Sequence, residues 1–423
     1  MTALTTVTTG LPGIDLPAFP ATGRPDVLQL AGTDLFAGVA GHGEALDLAA
    51  HRRRWHEQPR LPLAVLAAAA RTADLRGAGG AGFPTHRKLE SMTGRRVSAI
   101  VINGSEGEAT SAKDGQLLLH VPHLVLDGAA AAATATGCRR IVIQVGCDRP
   151  EIEASVTRAL AERDDKGLRW SLEPVADRFV SGEASAIIQR LSGGEALPRD
   201  LGKPPRDPRH RVRRAHVFLS NVETFARLAL ASRGHTMTTA LVTASGAVAR
   251  PGVYEVPQEW TVADLAAAVG VVGDPDLVIT GGWHGTWMLT RNLAQVPLHR
   301  DRLADVGARW GAGAFVWLPA QVRPQRALAQ VTRWLAAESA GQCGPCVAGL
   351  PALAAAVEGG SVTHQLTDVE GRGLCAHPTA TAAAVRSALA AMKQLGVGLT
   401  DHAHQSDGDP THGGGPTYRG VRA

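Results

Sequence analysis

The sequence predicts an α/β protein in three parts: a layer with mostly parallel strands, a small α+β module and a group of C-terminal helices. In the first part, β-type runs alternate with helical runs, which is typical of parallel α/β layers. After about residue 237 the pattern changes to short strands around one helix, and after Pro319 it becomes helical. A chain of 423 residues has room for two or three such units.

Hydrophobic periodicity defines the elements of the first part. Helical spacing runs over 61–72, and a glycine-rich loop follows at 76–83. Strands are predicted at 97–103, 140–145 and 217–220, and helices at 116–136 and 150–163. The preceding residues, 1–44, are rich in Thr, Gly and Pro, and they are expected to form an extended arm.

The second and third parts are recognised by their turns and helix signals. Residues 241–254 alternate in polarity around a Pro251-Gly252 turn, and a short helix is predicted at 261–269. C-terminal helices are predicted at 325–338, 350–358 and 378–395, with Pro378 as a start and Gly396 as a stop. The tail, 399–423, is rich in His, Gly and Asp and is predicted to be disordered.

Composition narrows the functional class. The net charge is only +4, and no nucleic-acid-binding motif accompanies the arginine runs at 52–54 and 206–214, so no nucleic-acid partner is expected. The first residues lack the pattern of a signal peptide, and the apolar stretches are short or interrupted by Asp127, so no direct membrane insertion is expected. Five cysteines in so long a chain fit a reducing cytoplasm.

The most informative motif is the Cys-x-Pro-Cys turn formed by Cys343 and Cys346, which Cys375 follows about one helix later. Two cysteines separated by two residues aim their sulfurs at a common metal or cluster. A closed iron–sulfur site normally takes four thiolates. Ala340 stands three residues before Cys343, so the motif offers one obvious ligand fewer than that.

The glycine-rich loop at 77–82 has two interpretations. Its N–H groups can cradle a phosphate, but such loops also occur as plain turns. The spacing does not match a Walker loop, because no Lys-Ser/Thr pair follows the last glycine. The loop also follows no clear strand, so it fits the dinucleotide fingerprint poorly.

Four separated regions together carry a resemblance to a known family: 75–85 with Lys88, 101–108, 181–185 with 220–224, and 338–346 with Cys375. The chain resembles the NADH-oxidising flavoprotein subunit of respiratory complex I and its relatives in NAD-linked hydrogenases and formate dehydrogenases. The order and spacing of these regions agree with the family from about residue 60 to residue 398.

The resemblance implies a Rossmann-like FMN domain at 45–235, a β-grasp (soluble-ligand-binding) domain at 238–322 and a helical iron–sulfur domain at 325–398. It implies FMN and a four-iron or three-iron cluster, with NAD binding possible but weak. For the cofactor it implies Gly77, Gly79, Gly80, Phe83, Lys88, Asn103, Glu106, Gly182, Ser220, Asn221 and Thr224. It implies Glu108 and Glu183 as catalytic acids, and Cys343, Cys346 and Cys375 as cluster ligands.

Several residues depart from the family pattern, namely Ala78, Ser105, Phe179, Ala184 and Arg206. The family has basic, acidic or aromatic groups at these positions, and most of them face NADH. The sequence therefore predicts a flavin site that is better preserved than the nicotinamide site. For the missing cluster ligand, Glu338 is a candidate replacement. Cys138 and Cys147 flank a strand and are expected to be core thiols.

Three functions remain open at this stage. The leading one is electron transfer through FMN to the cluster, with an electron-carrier protein or a redox-complex subunit as partner. A degenerate, non-catalytic scaffold is the second. The third is an FMN protein that exchanges electrons with a ferredoxin-like carrier, for which the arginine run at 206–214 offers a docking surface. Taken alone, Lys88 also fits an exposed helix lysine, Asn103 and Asn221 fit turn caps, and the glutamates fit solvated loops.

Overall fold

A computed structural model describes residues 26–29, 34–39, 45–176, 178–199, 211–212 and 215–399. Predictions for Arg206, for most of the arginine run at 206–214 and for the tail after Leu399 lie outside these ranges. The strands are β1 (Asp26–Gln29), β2 (Val97–Gly104), β3 (Arg140–Gly146), β4 (Arg169–Val175), β5 (Arg211–Val212), β6 (Ala215–Asn221), β7 (Thr239–Gly246), β8 (Gly252–Pro257), β9 (Leu277–Thr280), β10 (Thr286–Leu289) and β11 (Ala314–Trp317).

The helices begin with α1 (Leu48–Trp55), α2 (Leu63–Thr72), α3 (Thr85–Glu90), α4 (Lys113–His120), α5 (Pro122–Thr136), α6 (Pro150–Ala161), α7 (Ala184–Leu191) and α8 (Val222–Ser232). They continue with α9 (Val262–Val269), α10 (Thr290–Leu293), α11 (Arg300–Asp305), α12 (Pro324–Ala337), α13 (Leu350–Gly359), α14 (Thr363–Val369) and α15 (His377–Gln394). A 3₁₀ turn covers Phe179–Gly182, and a π turn covers Pro345–Gly349.

The first sheet has the strand order β4-β3-β2-β6-β5, and its central pairs are parallel. Its strands are apolar on both faces, as expected when helices cover each side. Ile100 and Ile102 belong to the core that includes α5 and α8, whereas Val101 packs on the other face with Ile187 of α7. The prediction of an α/β fold with a parallel sheet is confirmed.

One predicted helix is wrong. The apolar stretch at 116–136, predicted as a single helix, forms α4 and α5, which meet at an angle of 95°. Pro122 supplies no N–H and disfavours helical geometry in the residue before it, and Val121 accordingly has φ −132° and ψ 47°. The bend lets both helices pack on the same core.

The second sheet has the order β1-β8-β7-β11-β9-β10. Strands β7 and β8 are antiparallel, and β11 runs parallel to β7. The arm predicted at 1–44 contributes β1, which pairs parallel to β8, so this part of the arm is docked rather than free. Glu255 of β8 also accepts hydrogen bonds from the N–H groups of Leu35 (2.8 Å) and Phe36 (3.0 Å), and both of these residues are buried.

The C-terminal helices α12, α13, α14 and α15 share a core that also takes in Trp283 and Trp287 from the second sheet. Helix α14 was not predicted. The β-grasp and helical-bundle descriptions of these two regions stay predictions. Over the described ranges, no single helix combines the length and apolarity needed to cross a membrane, and α4 with α5 meets that test only as a bent pair.

Candidate functional site

The first sheet changes direction between β2 and β6. From β2 the chain continues outward to β3 and β4, whereas β6 lies on the opposite side of β2. Ligands of open α/β sheets bind at the carboxyl ends of the strands where the order reverses in this way. Asn103 and Asn221 lie in register at these ends of β2 and β6, so the candidate site is centred there.

The glycine-rich loop is seated on the amino end of α8, beside this point. Its two arms are joined by a hydrogen bond from the Gly77 N–H to the Phe83 carbonyl (2.9 Å). The Ala78 N–H donates to Thr224 Oγ1 (3.0 Å) in the first turn of α8. A Cβ at Gly79 would lie 3.5 Å from the Asn221 Cβ. The loop is thus fixed where a helix dipole favours an anion.

Consecutive N–H groups of this loop are available to a ligand. Among the described residues, none accepts a hydrogen bond from the N–H groups of Gly79, Gly80, Ala81 or Gly82. Gly80 has φ +102°, and a Cβ built there meets no atom within 4 Å. Successive N–H groups around a concavity are typical of anion sites. The loop therefore has the geometry of a site for an anionic group such as a phosphate.

Asn103 joins the loop after β2 to the 3₁₀ turn. Its Nδ2 donates to the Gly182 carbonyl (3.0 Å), and its Oδ1 accepts from Ser105 Oγ (2.8 Å). A Cβ at Gly182 would come within 2.8 Å of that hydroxyl, so a larger residue there would displace the Ser105 side chain. The structure thus brings together two of the residues assigned to the flavin, Asn103 and Gly182.

Lys88 is a half-buried cation beneath the glycine-rich loop. Its Nζ donates to the carbonyl of Leu219 in β6 (2.8 Å), and burial lowers its pKa to about 8. No carboxylate in the described ranges pairs with it. It is therefore not an exposed helix lysine, and it adds unneutralised positive charge to the site.

Glu106 lies in the same region, but protein groups already occupy its carboxylate. Oε1 accepts from Ser111 Oγ and the Asp114 N–H, both at 2.9 Å. Oε2 accepts from the Gly115 N–H (2.9 Å) and from Arg149 Nη1 (3.1 Å). These contacts cap α4 and anchor the loop that follows β2.

A buried charge network that sequence reasoning missed forms the floor of the site. Lys113, with only 2% of its side chain exposed, contacts Asp114 (2.8 Å), Glu223 (3.1 Å) and Asn221 Oδ1 (3.3 Å). Burial alone would lower the pKa of Lys113, but the surrounding carboxylates raise it above its ordinary value. Arg227 also pairs with Glu223 (2.8 Å). The available signal was the Lys113-Asp114 pair at the start of a helix whose next turn is Leu117-Leu118-Leu119.

The two predicted catalytic acids lie in different surroundings. Glu108 faces the second sheet, where its Oε1 accepts from the Trp283 N–H (3.1 Å) and Thr110 Oγ1 (2.9 Å), and burial raises its pKa. Glu183 caps α7 by accepting from the Ala186 N–H (2.9 Å). Glu183 is also close enough to Cys375 to raise the pKa of that thiol. The carboxylates thus link the loop region to the other two parts.

The remaining predicted residues differ in accessibility. Phe83 is exposed, whereas Ser220 is buried within β6. Phe179, which replaces the family's Tyr, packs on His284 (ring centroids 4.4 Å apart) and His377 (5.3 Å). This aromatic cluster joins the 3₁₀ turn to the second sheet and to α15.

Two of the three motif cysteines converge. The sulfurs of Cys343 and Cys346 are 3.1 Å apart at the π turn. Burial raises the pKa of Cys375 to about 11, and the carboxylate of Glu183 and the thiols of Cys346 and Cys343 act in the same direction. The pKa of the Cys343 thiol is lowered, against the effect of burial, by a hydrogen bond with Cys346 and by the backbone N–H of Leu374. All three thiols therefore lie in one region, as thiolate ligation of a cluster requires.

The described residues offer no His, Cys, Asp or Glu group of three or more that is arranged to hold a single metal ion. Glu338, the candidate replacement ligand, instead accepts from the Phe179 N–H (2.8 Å). Cys138 is buried as expected, but Cys147 is exposed, so its assignment as a core thiol was wrong. Cys147 follows the last residue of β3, where the chain leaves the sheet.

Comparisons with known proteins identify the same regions. Residues 70–230 match the Nuo51 FMN-binding domain, and residues 326–395 match the NADH-ubiquinone oxidoreductase-F iron-sulfur binding region. The F subunit of NADH-quinone oxidoreductase from Escherichia coli K12 is 26% identical over 309 residues, which cover 66% of this chain and 69% of the relative. Its counterpart from Mycobacterium bovis is 28% identical over 357 residues, covering 74% of this chain and 80% of the relative.

The fold also resembles an NAD⁺-reducing nickel–iron hydrogenase in the H₂-reduced state, with a TM-score of 0.70 and 25% identity. The alignment covers 82% of this chain but only 64% of that hydrogenase chain. The two matched domains occur in the same order as in the resemblance drawn from the motifs. The chain is therefore a divergent protein similar to the F subunits of NADH-quinone oxidoreductase.

Proposed function

We propose that this protein is a flavin-dependent oxidoreductase that passes electrons from NADH or another donor, by way of FMN, to an iron–sulfur cluster. The observation that carries this proposal is the glycine-rich loop, whose unused N–H groups lie at the switch point of the parallel sheet. The matched iron–sulfur region with its paired thiols supports the second cofactor. FMN supplies the conversion of two-electron into one-electron chemistry.

The chain's own residues would bind and orient this cofactor. The N–H groups from Gly79 to Gly82 and the ammonium of Lys88 would hold the phosphate. Asn103 and Asn221, at the ends of two adjacent strands, would fix the position of the polar part of the flavin. The buried Lys113 network keeps Asn221 in place and does not need to touch the cofactor itself.

Glu183 is proposed to act between the two cofactor sites. Glu183 caps α7 next to Gly182, and its charge also raises the pKa of the Cys375 thiol. A carboxylate in this position can order a donor on one side and adjust the charge near the cluster on the other. Glu108, whose Oε1 accepts from the Trp283 N–H and Thr110 Oγ1, would help to order a bound nicotinamide from the side of the second sheet.

NADH use is proposed to be weak. Ala78, Ser105 and Ala184 are smaller than the groups that the family resemblance implies, and Phe179 is packed into an aromatic cluster. Each lost polar contact would cost about 1–3 kcal/mol, so two or three together move affinity well out of a useful range. A ferredoxin-like carrier or another component of a redox complex is therefore proposed as an alternative electron partner.

The finer architecture is part of the same proposal. We assign the FMN domain to 45–235, a β-grasp domain to 238–322 and a helical iron–sulfur domain to 325–398. The parallel pairing of β11 with β7 and the helix α9 between β8 and β9 support the β-grasp assignment. The reduced thiols fit a cytoplasmic location.

The absorption spectrum of the purified full chain tests the proposal most directly. After anaerobic reconstitution with FMN, iron and sulfide, we expect flavin bands together with a broad cluster absorbance. Retained flavin that NADH bleaches only slowly in stopped-flow mixing would support both the flavin assignment and the weak NADH site. A protein that retains neither flavin nor iron after reconstitution would be a scaffold.

A further inference from the structure

Arg300 reaches the glycine-rich loop from outside the first sheet. It is the first residue of α11, which follows the second sheet's strand β10. Its Nη1 donates to the Gly80 carbonyl (3.2 Å). The same guanidinium lies so close to Gly82 that a Cβ there would be 2.9 Å from Nη1. Arg300 therefore lies against the part of the loop whose N–H groups are unused.

A second contact fixes α11 in this position. Arg76, directly before the loop, forms an ion pair with Asp301 (Nη2–Oδ2, 3.4 Å) and another with Asp74 (3.3 Å). Arg300 and Asp301 thus hold the loop from successive positions of one short helix.

The charge of Arg300 is not neutralised by the protein. No carboxylate of the described chain lies within 4.0 Å of it. Glu223 and Asp301 act on it electrostatically, but each of these carboxylates already has a closer cation. Glu223 pairs with Lys113 (3.1 Å) and Arg227 (2.8 Å), and Asp301 pairs with Arg76 (3.4 Å). Burial lowers the pKa of Arg300, which means that its charged form is incompletely solvated. A bound anion would relieve this cost.

The loop itself carries no charged side chain from Gly77 to Thr85. Its N–H groups provide partial positive charge only, and full charges come from Lys88 and Arg300. Each of these two cations donates to a backbone carbonyl and to no carboxylate among the described residues. Two unneutralised cations beside a set of free N–H groups match a dianionic phosphate monoester.

We propose that Arg300 binds the phosphate of FMN and so makes α11, which lies between strands β10 and β11 of the second sheet, part of the flavin site. The planar fork of guanidinium donors suits phosphate oxygens better than a single ammonium does. This inference rests on the proposed FMN binding. The inference goes beyond FMN binding because it gives a phosphate-recognition role to a residue that lies 220 positions from Gly80 in sequence.

The experiment compares FMN with riboflavin, which lacks the phosphate. Affinities of both for the full-length unliganded protein are measured by quenching of flavin fluorescence, for wild type, Arg300→Gln and Arg302→Gln. Arg302 is the matched control, because it lies on the same helix, is 67% exposed and pairs with Asp305. We expect Arg300→Gln to weaken FMN binding by about tenfold to a hundredfold, as for the loss of a charge-assisted hydrogen bond. Riboflavin binding should be unchanged, and Arg302→Gln should behave as wild type.

Three results distinguish a failure of the Arg300 proposal from a failure of the proposed FMN binding. Wild-type protein that binds neither flavin would contradict the proposed function itself. Wild type that binds FMN, with Arg300→Gln binding it equally well, would overturn only the role of Arg300. Equal weakening of FMN and riboflavin in Arg300→Gln would mean that the arginine merely braces the loop, and would also overturn it. Circular dichroism melting of each variant excludes unfolding as the cause.

Discussion

The flavin site and the cysteine site of this protein are built in different ways. The flavin site is made largely of backbone groups and buried contacts between strand ends, the glycine-rich loop and the first turns of helices. The cysteine site depends on three side chains, and only the Cys343 and Cys346 sulfurs lie in direct contact. The first site distributes its function over many residues, whereas the second concentrates it in a few.

This difference explains where divergence is tolerated. Ala78 still donates its N–H to Thr224, so replacing a basic side chain there removes charge but leaves the loop in place. Ala340, by contrast, removes a thiolate outright, and the nearby Glu338 is already bound to the Phe179 N–H. A flavin site built from backbone N–H groups keeps those groups when a side chain is replaced. A cluster site loses one thiolate ligand with each cysteine that is replaced.

The largest effect is expected from the floor of the flavin site. Lys113→Met should destabilise the fold by about 3–5 kcal/mol, because Asp114 and Glu223 would remain buried without their shared cation. Urea unfolding of the unliganded protein measures this change. Lys166→Met is the control, because Lys166 is 85% exposed and its ion pair with Asp164 (3.7 Å) lies in solvent. If both variants unfold at the same urea concentration, the buried network does not support the site.

The next largest effect tests the backbone cradle. Gly80→Leu should weaken FMN binding by more than about thirtyfold, because its side chain would project beside the unused N–H groups and strain a residue at φ +102°. Gly94→Leu is the matched control, as Gly94 also has a positive φ (+66°) with no atom within 4 Å of a Cβ. Flavin fluorescence titration gives both affinities. Equal affinities would place the phosphate elsewhere.

A smaller effect is expected from the titration of Lys88. Its folded-state pKa of about 8 lies below the ordinary value of 10.5, so the folded protein loses this charge first as the pH rises. FMN affinity should therefore fall about tenfold between pH 7 and pH 9, as the protonated fraction falls. Stability of the unliganded protein should instead rise with pH from about 8 towards 10.5, because the cost of burying the ammonium disappears.

Lys88→Met should abolish both pH dependences. Isothermal titration at several pH values measures the affinity, and thermal melting measures the stability. A wild-type FMN affinity that is flat from pH 7 to pH 9 would mean that the ammonium of Lys88 does not face the phosphate.

The parts of the site that could be predicted are those whose residues are close in sequence. The glycine-rich loop and the Cys-x-Pro-Cys turn are visible from their spacing, whereas Asn103 and Asn221 were assigned through the family resemblance. The long-range partners could not be predicted this way. Lys113 meets Asn221 across 108 residues, and Arg300 meets Gly80 across 220, so no local pattern links them.

The errors in the fold have equally specific causes. Pro122 was visible in the sequence, but the high apolar content of 116–136 outweighed it. Strand β1 has only four residues and lies in an arm rich in Thr, Gly and Pro, where no alternation was apparent. Strand β4 is a half-exposed edge of the first sheet with little apolar periodicity. Tertiary pairing, more than propensity, decides such elements.

The smallest effect returns to the cysteine site. Ala340→Cys adds a thiolate three residues before Cys343, at the position where the motif lacks one. After anaerobic reconstitution, we expect wild type to retain about three irons per chain, or to lose iron during gel filtration, and the variant to retain about four. Iron analysis and electron paramagnetic resonance measure the difference. Cys147→Ser is the control, because this exposed thiol lies beside the first sheet and should not change the iron content. A wild-type protein that already holds a stable four-iron cluster would show that the cysteine site, like the flavin site, draws on a donor distant in sequence.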